Sequence, residues 1–140
     1  MKKIMAVLFM LCSLYATDWS GKINWAMGYG VAQNIASSSK KLIMVDIGLT
    51  TCPPCKYMAE KVYSDKKVSD YVNKNFVSVF YLADQDTLPA IVQNYFTGST
   101  PTILFIKPNG ELFYRIIGPR TPAQFLKIVQ NINVKYKGNK

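Results

Sequence analysis

Cys52-Pro53-Pro54-Cys55 carries the most evident chemistry in this sequence: two thiols three positions apart, where an apolar run hands over to a helical pattern. Thiols at that spacing can close a disulfide or bind a soft metal ion. A closed zinc or iron–sulfur site needs about four nitrogen or sulfur ligands, and the chain holds no histidine and only one other cysteine, Cys12. Covalent haem attachment would require histidine directly after the second cysteine, where Lys56 stands. Dithiol–disulfide exchange with no metal or other cofactor is the expected chemistry, and Cu(I) held by the two thiolates is an alternative.

The two sulfurs are not expected to be equivalent. Proline fixes φ near the helical value and lacks an amide hydrogen, so Pro53 and Pro54 suit a first helical turn and no later position. Cys52, ahead of a proline, is biased to extended backbone and becomes the cap residue at the positive end of the helix dipole. Such settings lower a cysteine pKa from ~8.5 to as little as ~3.5–7.5. Cys52 is therefore read as an exposed nucleophile and Cys55, one turn in, as a shielded resolving thiol. Two prolines remove two amide donors, which leaves mainly the Cys55 N–H to face the Cys52 sulfur.

Elements that could position this pair follow from periodicity. Leu42 to Ile47 is β-branched and apolar and reads as a buried strand, and Met58, Ala59 and Val62 give the next helix an inner face. Before them, Trp25, Met27, Val31, Ala32 and Ile35 recur at helical spacing between Asp18 and Ser39, interrupted by Gly28 and Gly30. After them, Ser64 is the expected cap of a helix whose inner face is Val68, Tyr71 and Val72. Phe76 to Ala83 reads as a second buried strand, and Leu88, Ile91, Val92 and Tyr95 as one helical face. Strands alternating with helices imply a parallel pair. Thr102 to Ile106 and Glu111 to Ile117 flank Asn109-Gly110, a hairpin signal for two antiparallel strands. Thr121-Pro122-Ala123-Gln124 combines a cap, a first-turn proline and a capping-box glutamine, launching Phe125 to Ile132.

At 140 residues, 49% apolar and 18% charged, the chain has the size and composition of one compact domain and is expected to be a monomer. Met1-Lys2-Lys3 followed by a short apolar stretch to Ala16 has the build of a secretory signal. Residues 1–16 are thus read as exported and removed, taking Cys12 with them, with an uncleaved anchor as the alternative. Without Lys2 and Lys3, 15 basic residues face 8 acidic ones, a net of +7. These lysines are scattered without a dense block, which argues for solvated surface rather than nucleic-acid binding. Residues 135–140 read as a basic tail. An exported chain whose remaining cysteines are three apart is a redox pair rather than a disulfide-stapled scaffold.

Val45-Asp46 ahead of Cys52-Pro53-Pro54-Cys55-Lys56, the Ser99-Thr100-Pro101-Thr102 segment, and Asn109-Gly110-Glu111 followed by Gly118 together resemble the thioredoxin superfamily. The run from Cys55 to Asp65, with Pro101-Thr102-Ile103-Leu104-Phe105 later, is similar to the C-terminal periplasmic domain of the DsbD transmembrane reductases. The resemblance implies an α/β thioredoxin fold over 17–134, a central mixed sheet flanked by helices. It implies Cys52 as attacking thiolate, Cys55 as resolving thiol, Asp46 as the buried carboxylate that helps deprotonate Cys55, and Thr100 with a cis Pro101 as the substrate-docking segment. Thr51 stands where thioredoxins usually have tryptophan, the second strand lacks the lysine that often accompanies the buried aspartate, and no initial β-strand is evident. Protein disulfide substrates, among them apocytochrome c or periplasmic thiol proteins, and a membrane electron donor of the DsbD type are the implied partners. Strong oxidants at ~−120 mV and reductants at ~−270 mV differ by about 7 kcal/mol. With no histidine between the cysteines, a periplasmic reductase is expected; an oxidase or isomerase, or a non-catalytic binding module, is the alternative.

Overall fold

A computed structural model of the chain describes residues 17–139, so the expected export signal at residues 1–16 lies outside the described residues. The elements are α1 Tyr29–Ser39, β1 Leu42–Gly48, α2 Pro53–Tyr57, a π-helical turn Met58–Val62, α3 Lys66–Asn75, β2 Phe76–Leu82, α4 Ala90–Tyr95, β3 Thr102–Ile106, β4 Leu112–Ile117 and α5 Pro122–Gly138. Four strands form one sheet in the order β2-β1-β3-β4. β1 runs parallel to β2 and antiparallel to β3, and β3 is antiparallel to β4. The expected mixed sheet flanked by helices is thus present. Among the described residues, no helix is long and apolar enough to cross a membrane.

β1 reads as a continuous apolar run because both its faces are covered, and all seven of its residues are buried. Alternate side chains leave the strand on opposite sides. Leu42 and Met44 join Met58, Val62, Tyr63, Val72 and Phe125 in one core, while Ile43, Val45 and Ile47 join Tyr29, Ala32 and Ala36 in the other. Asp46 and Gly48 continue the row of Leu42 and Met44, on the face that α2 covers. In register, Asp46 lies between Phe80 of β2 and Ile103 of β3.

Three local expectations are corrected. α1 begins at Tyr29, and its inward face is Tyr29, Ala32 and Ala36, whereas Met27 is 99% exposed and Val31 and Ile35 are about half exposed. The chain ahead of Gly28 is not helical: Trp25 makes a parallel bridge to Ser78, and the Ala26 N–H donates to the Ser78 carbonyl at 2.7 Å. That bridge stands where an initial strand would, and the small alanines let the helix lie close on the sheet. The cap of α3 is Asp65, whose Oδ1 accepts from the Val68 N–H at 3.0 Å, while the Ser64 hydroxyl donates back to the Glu60 carbonyl. α5 runs on to Gly138, past the expected end at Ile132. Its last turns carry Lys135 and Lys137, cations that complement the negative end of the helix dipole.

Candidate functional site

Cys52 and Cys55 form a disulfide with their Cα atoms 5.2 Å apart. Cys52 has extended backbone, Pro53 and Pro54 occupy the first turn of α2, and the Cys52 sulfur accepts the Cys55 N–H at 3.3 Å. The Lys56 N–H takes the Cys52 carbonyl at 3.1 Å. Cys52 is not exposed as expected: both cysteines are buried, at 6% exposure for Cys52 and 4% for Cys55. The Thr100 hydroxyl donates to the Cys52 sulfur at 3.4 Å and, with the bonded Cys55, covers it.

Thr100 reaches the sulfur from the loop ahead of β3. The Thr100–Pro101 peptide bond is cis. Its surroundings are tied down on both sides: the Pro101 carbonyl accepts the Gly118 N–H at 2.9 Å, and the Thr102 hydroxyl donates to the Ser99 carbonyl at 2.6 Å. Beneath the disulfide, a Cβ on Gly48 would lie 3.4 Å from the Cys55 Cβ and 3.6 Å from its sulfur. The strand end passes directly under Cys55, where a Cβ would sit in ordinary contact with the disulfide and with Leu82. The segment entering the motif is held by Asp84, whose carboxylate accepts from the Thr50 N–H at 3.1 Å and from the Thr50 hydroxyl. Those bonds hold the Asp84 carboxyl below its ordinary pKa. Sequence reading missed Asp84, because nothing local marks a contact 34 residues away.

Asp46 is buried at 4% exposure, two residues before Gly48 on the same face, and makes no hydrogen bond to either cysteine. Burial pushes its carboxyl up to about 7, opposed by the neighbouring Tyr63 hydroxyl and by the Ile47 amide. Burial likewise pushes the Tyr63 hydroxyl well above its ordinary value, with the Asp46 charge adding to the rise. Although the two groups act on each other, neither Asp46 Oδ1 nor the Tyr63 hydroxyl has a hydrogen bond of good geometry.

Sequence reading missed the place of Tyr63 beside Asp46. The Tyr63 N–H bonds the Met58 carbonyl, five residues back, at 2.8 Å. This wide turn rotates Tyr63 into the core, out of step with α-helical spacing. Its ring packs edge-on against Trp25 and Phe125, with centroids 5.5 and 5.8 Å away. Trp19 and Trp25 also lie on Phe80, the β2 neighbour of Asp46.

A sequence profile of the thioredoxin-like domain matches residues 29–133. The chain belongs to that family. Thioredoxin H3 of Arabidopsis thaliana is 30% identical over 101 residues, covering 72% of this chain and 71% of the relative. The solution structure of a thioredoxin from Thermus thermophilus superposes with a TM-score of 0.71 at 29% identity, over 82% of this chain and 90% of that one. The oxidised C-terminal domain of DsbD from Neisseria meningitidis shares the fold at a TM-score of 0.60 and 16% identity, over 73% and 90% of the two chains. A thioredoxin-like chain whose two cysteines close a disulfide at the start of α2 is a thiol–disulfide oxidoreductase.

Proposed function

We propose that this thioredoxin-like chain is a periplasmic reductase of disulfides in exported proteins. The observation that carries the reading is the sparse support of the Cys52 sulfur: one backbone N–H, from Cys55, and one hydroxyl, from Thr100. A strong oxidant owes its potential to a heavily stabilised reduced thiolate, and the prolines at positions 53 and 54 leave no further amide donors in the first turn.

In the first step the Cys52 thiolate attacks a substrate disulfide, forming a mixed disulfide and releasing one substrate thiolate. Cys55 then gives its proton to the Asp46 carboxylate and attacks the Cys52 sulfur. The second substrate thiolate leaves, and the Cys52–Cys55 disulfide remains. Two electrons have passed to the substrate, and a membrane donor of the DsbD type restores the dithiol. Thr100 and Pro101 dock the substrate backbone against Cys52. Export by residues 1–16 puts the enzyme in the same compartment as oxidised thiol proteins and apocytochrome c, its proposed substrates.

Equilibration with a glutathione redox buffer tests the direction. A potential nearer ~−270 than ~−120 mV is expected, and a value at the oxidising end would turn the assignment to an oxidase or isomerase. Insulin reduction should be lost in Cys52→Ser. A mixed disulfide trapped in Cys55→Ser and identified by mass spectrometry would name the substrate.

A further inference from the structure

Two buried oxygens lie side by side without a mate. Asp46 Oδ1 and the Tyr63 hydroxyl are both shut off from solvent and both unbonded in the disulfide-closed state. Native interiors leave few such groups, and one that persists calls for a role. The Ser78 hydroxyl on β2 is buried and unbonded as well, but it does not act on the Asp46 proton. Phe80 and Ile103 flank Asp46 in the sheet, and the apolar cluster on its face holds Met44, Met58 and Phe125. Among the described residues, Tyr63 is the one side chain that acts on the Asp46 proton.

Tyr63 is also rigidly placed. Its N–H is held by Met58 and its carbonyl accepts the Lys22 N–H at 2.9 Å. A Cβ on Gly21 would collide with its backbone at 2.8 Å, and Trp25 and Phe125 fix the ring. A hydroxyl held this firmly at the end of a locked ring can serve a carboxylate that changes charge during turnover.

We propose that Tyr63 is a positioning residue for the resolving step: its hydroxyl donates to Asp46 Oδ1 while Asp46 is ionised, and the bond opens once Asp46 has taken the Cys55 proton. The inference rests on the reading of Asp46 as that proton acceptor. The open contact in the disulfide state is then the protonated half of the cycle. Favouring the carboxylate keeps Asp46 able to accept a proton near neutral pH despite its burial.

The test follows the two phases in which the reduced protein releases thionitrobenzoate from 5,5′-dithiobis(2-nitrobenzoate). The first phase reports Cys52 attack and the second Cys55 resolution. In the second phase Cys55 and Asp46 titrate as a coupled pair. Tyr63→Phe keeps the ring and removes the donor. It should leave the first phase unchanged and move the pH midpoint of the second upward by about one unit, roughly a tenfold slowing at fixed pH below the midpoint. 3-Fluorotyrosine incorporated at position 63, a stronger donor, should move the midpoint the other way. An unchanged midpoint in both, while Asp46→Asn alters the pH profile of the second phase, would overturn the role of Tyr63 alone. A second phase that is unaltered in Asp46→Asn would overturn the proton-acceptor reading and the Tyr63 proposal with it.

Discussion

At the scale of single residues, the site works by contacts that leave little room for change. Gly48 shows this most directly, because the strand must pass beneath Cys55. A Cβ there falls at 3.4–3.7 Å from Cys55 and Leu82, ordinary contact that Gly48→Ala can occupy. Gly48→Val adds two further methyl groups to a full site and should destabilise the oxidised protein by about 1–3 kcal/mol. Urea unfolding of the three forms checks the order; a valine variant as stable as wild type would show that the strand end yields. On the other side of the sulfur pair, Thr100 supplies, among the described residues, the single side-chain donor to Cys52. Thr100→Val preserves shape and removes that donor, so the Cys52 thiolate loses support and its pKa rises. Alkylation by iodoacetamide, followed against pH, should show the reactive thiolate several-fold depleted near neutrality, on the scale of about 1 kcal/mol for one hydrogen bond. An unshifted alkylation curve would mean the hydroxyl merely covers the sulfur.

At the scale of elements, capping decides where the helices around the site begin. Thr121 and Gln124 form a reciprocal capping box at the start of α5, just after the 118–120 turn, where the Arg120 N–H meets the Met58 sulfur. α3 instead starts at Asp65. Asp65→Ala should lower stability by about 1 kcal/mol while Ser64→Ala changes it little, an order that thermal unfolding of both variants can reverse or uphold. The α5 cap was legible in the sequence because a threonine, a proline and a glutamine coincide within four residues. At α3 two capping residues are adjacent, and sequence alone does not choose between them. The strands, the hairpin at Asn109-Gly110 and the helix start at Pro53 were legible for the same reason as α5: local residue chemistry dictates them. α1 was misread because the exposed Met27 ahead of the helix and Val31 and Ile35 on it are more apolar than the alanine face that fits the sheet. The site was legible where it is contiguous, at Cys52 and Cys55. Its support by Asp84 and Tyr63 was not, since the one is a contact across two loops and the other depends on a wide helical turn.

At the scale of the whole molecule, a carboxyl in the central strand between two apolar cores sets how stability depends on pH. Asp46 titrates near 7 in the folded chain and near 3.8 when exposed by unfolding. Between these values the folded protein holds one more proton than the unfolded one, so stability falls as pH rises through the window and levels off above about 7. Each unit is worth about 1.4 kcal/mol, which makes the loss across the window on the order of 4 kcal/mol. That is a large share of the 5–15 kcal/mol typical of a domain, and the fold retains the carboxyl against it. Asp46→Asn is neutral at every pH and carries no such burden. Urea midpoints of the oxidised proteins should therefore diverge from pH 4 to pH 7, with the variant progressively the more stable, and run parallel above that. Curves that stay parallel throughout would place an ordinary, solvated carboxylate at position 46. They would remove the thermodynamic reason for giving Asp46 a proton to move.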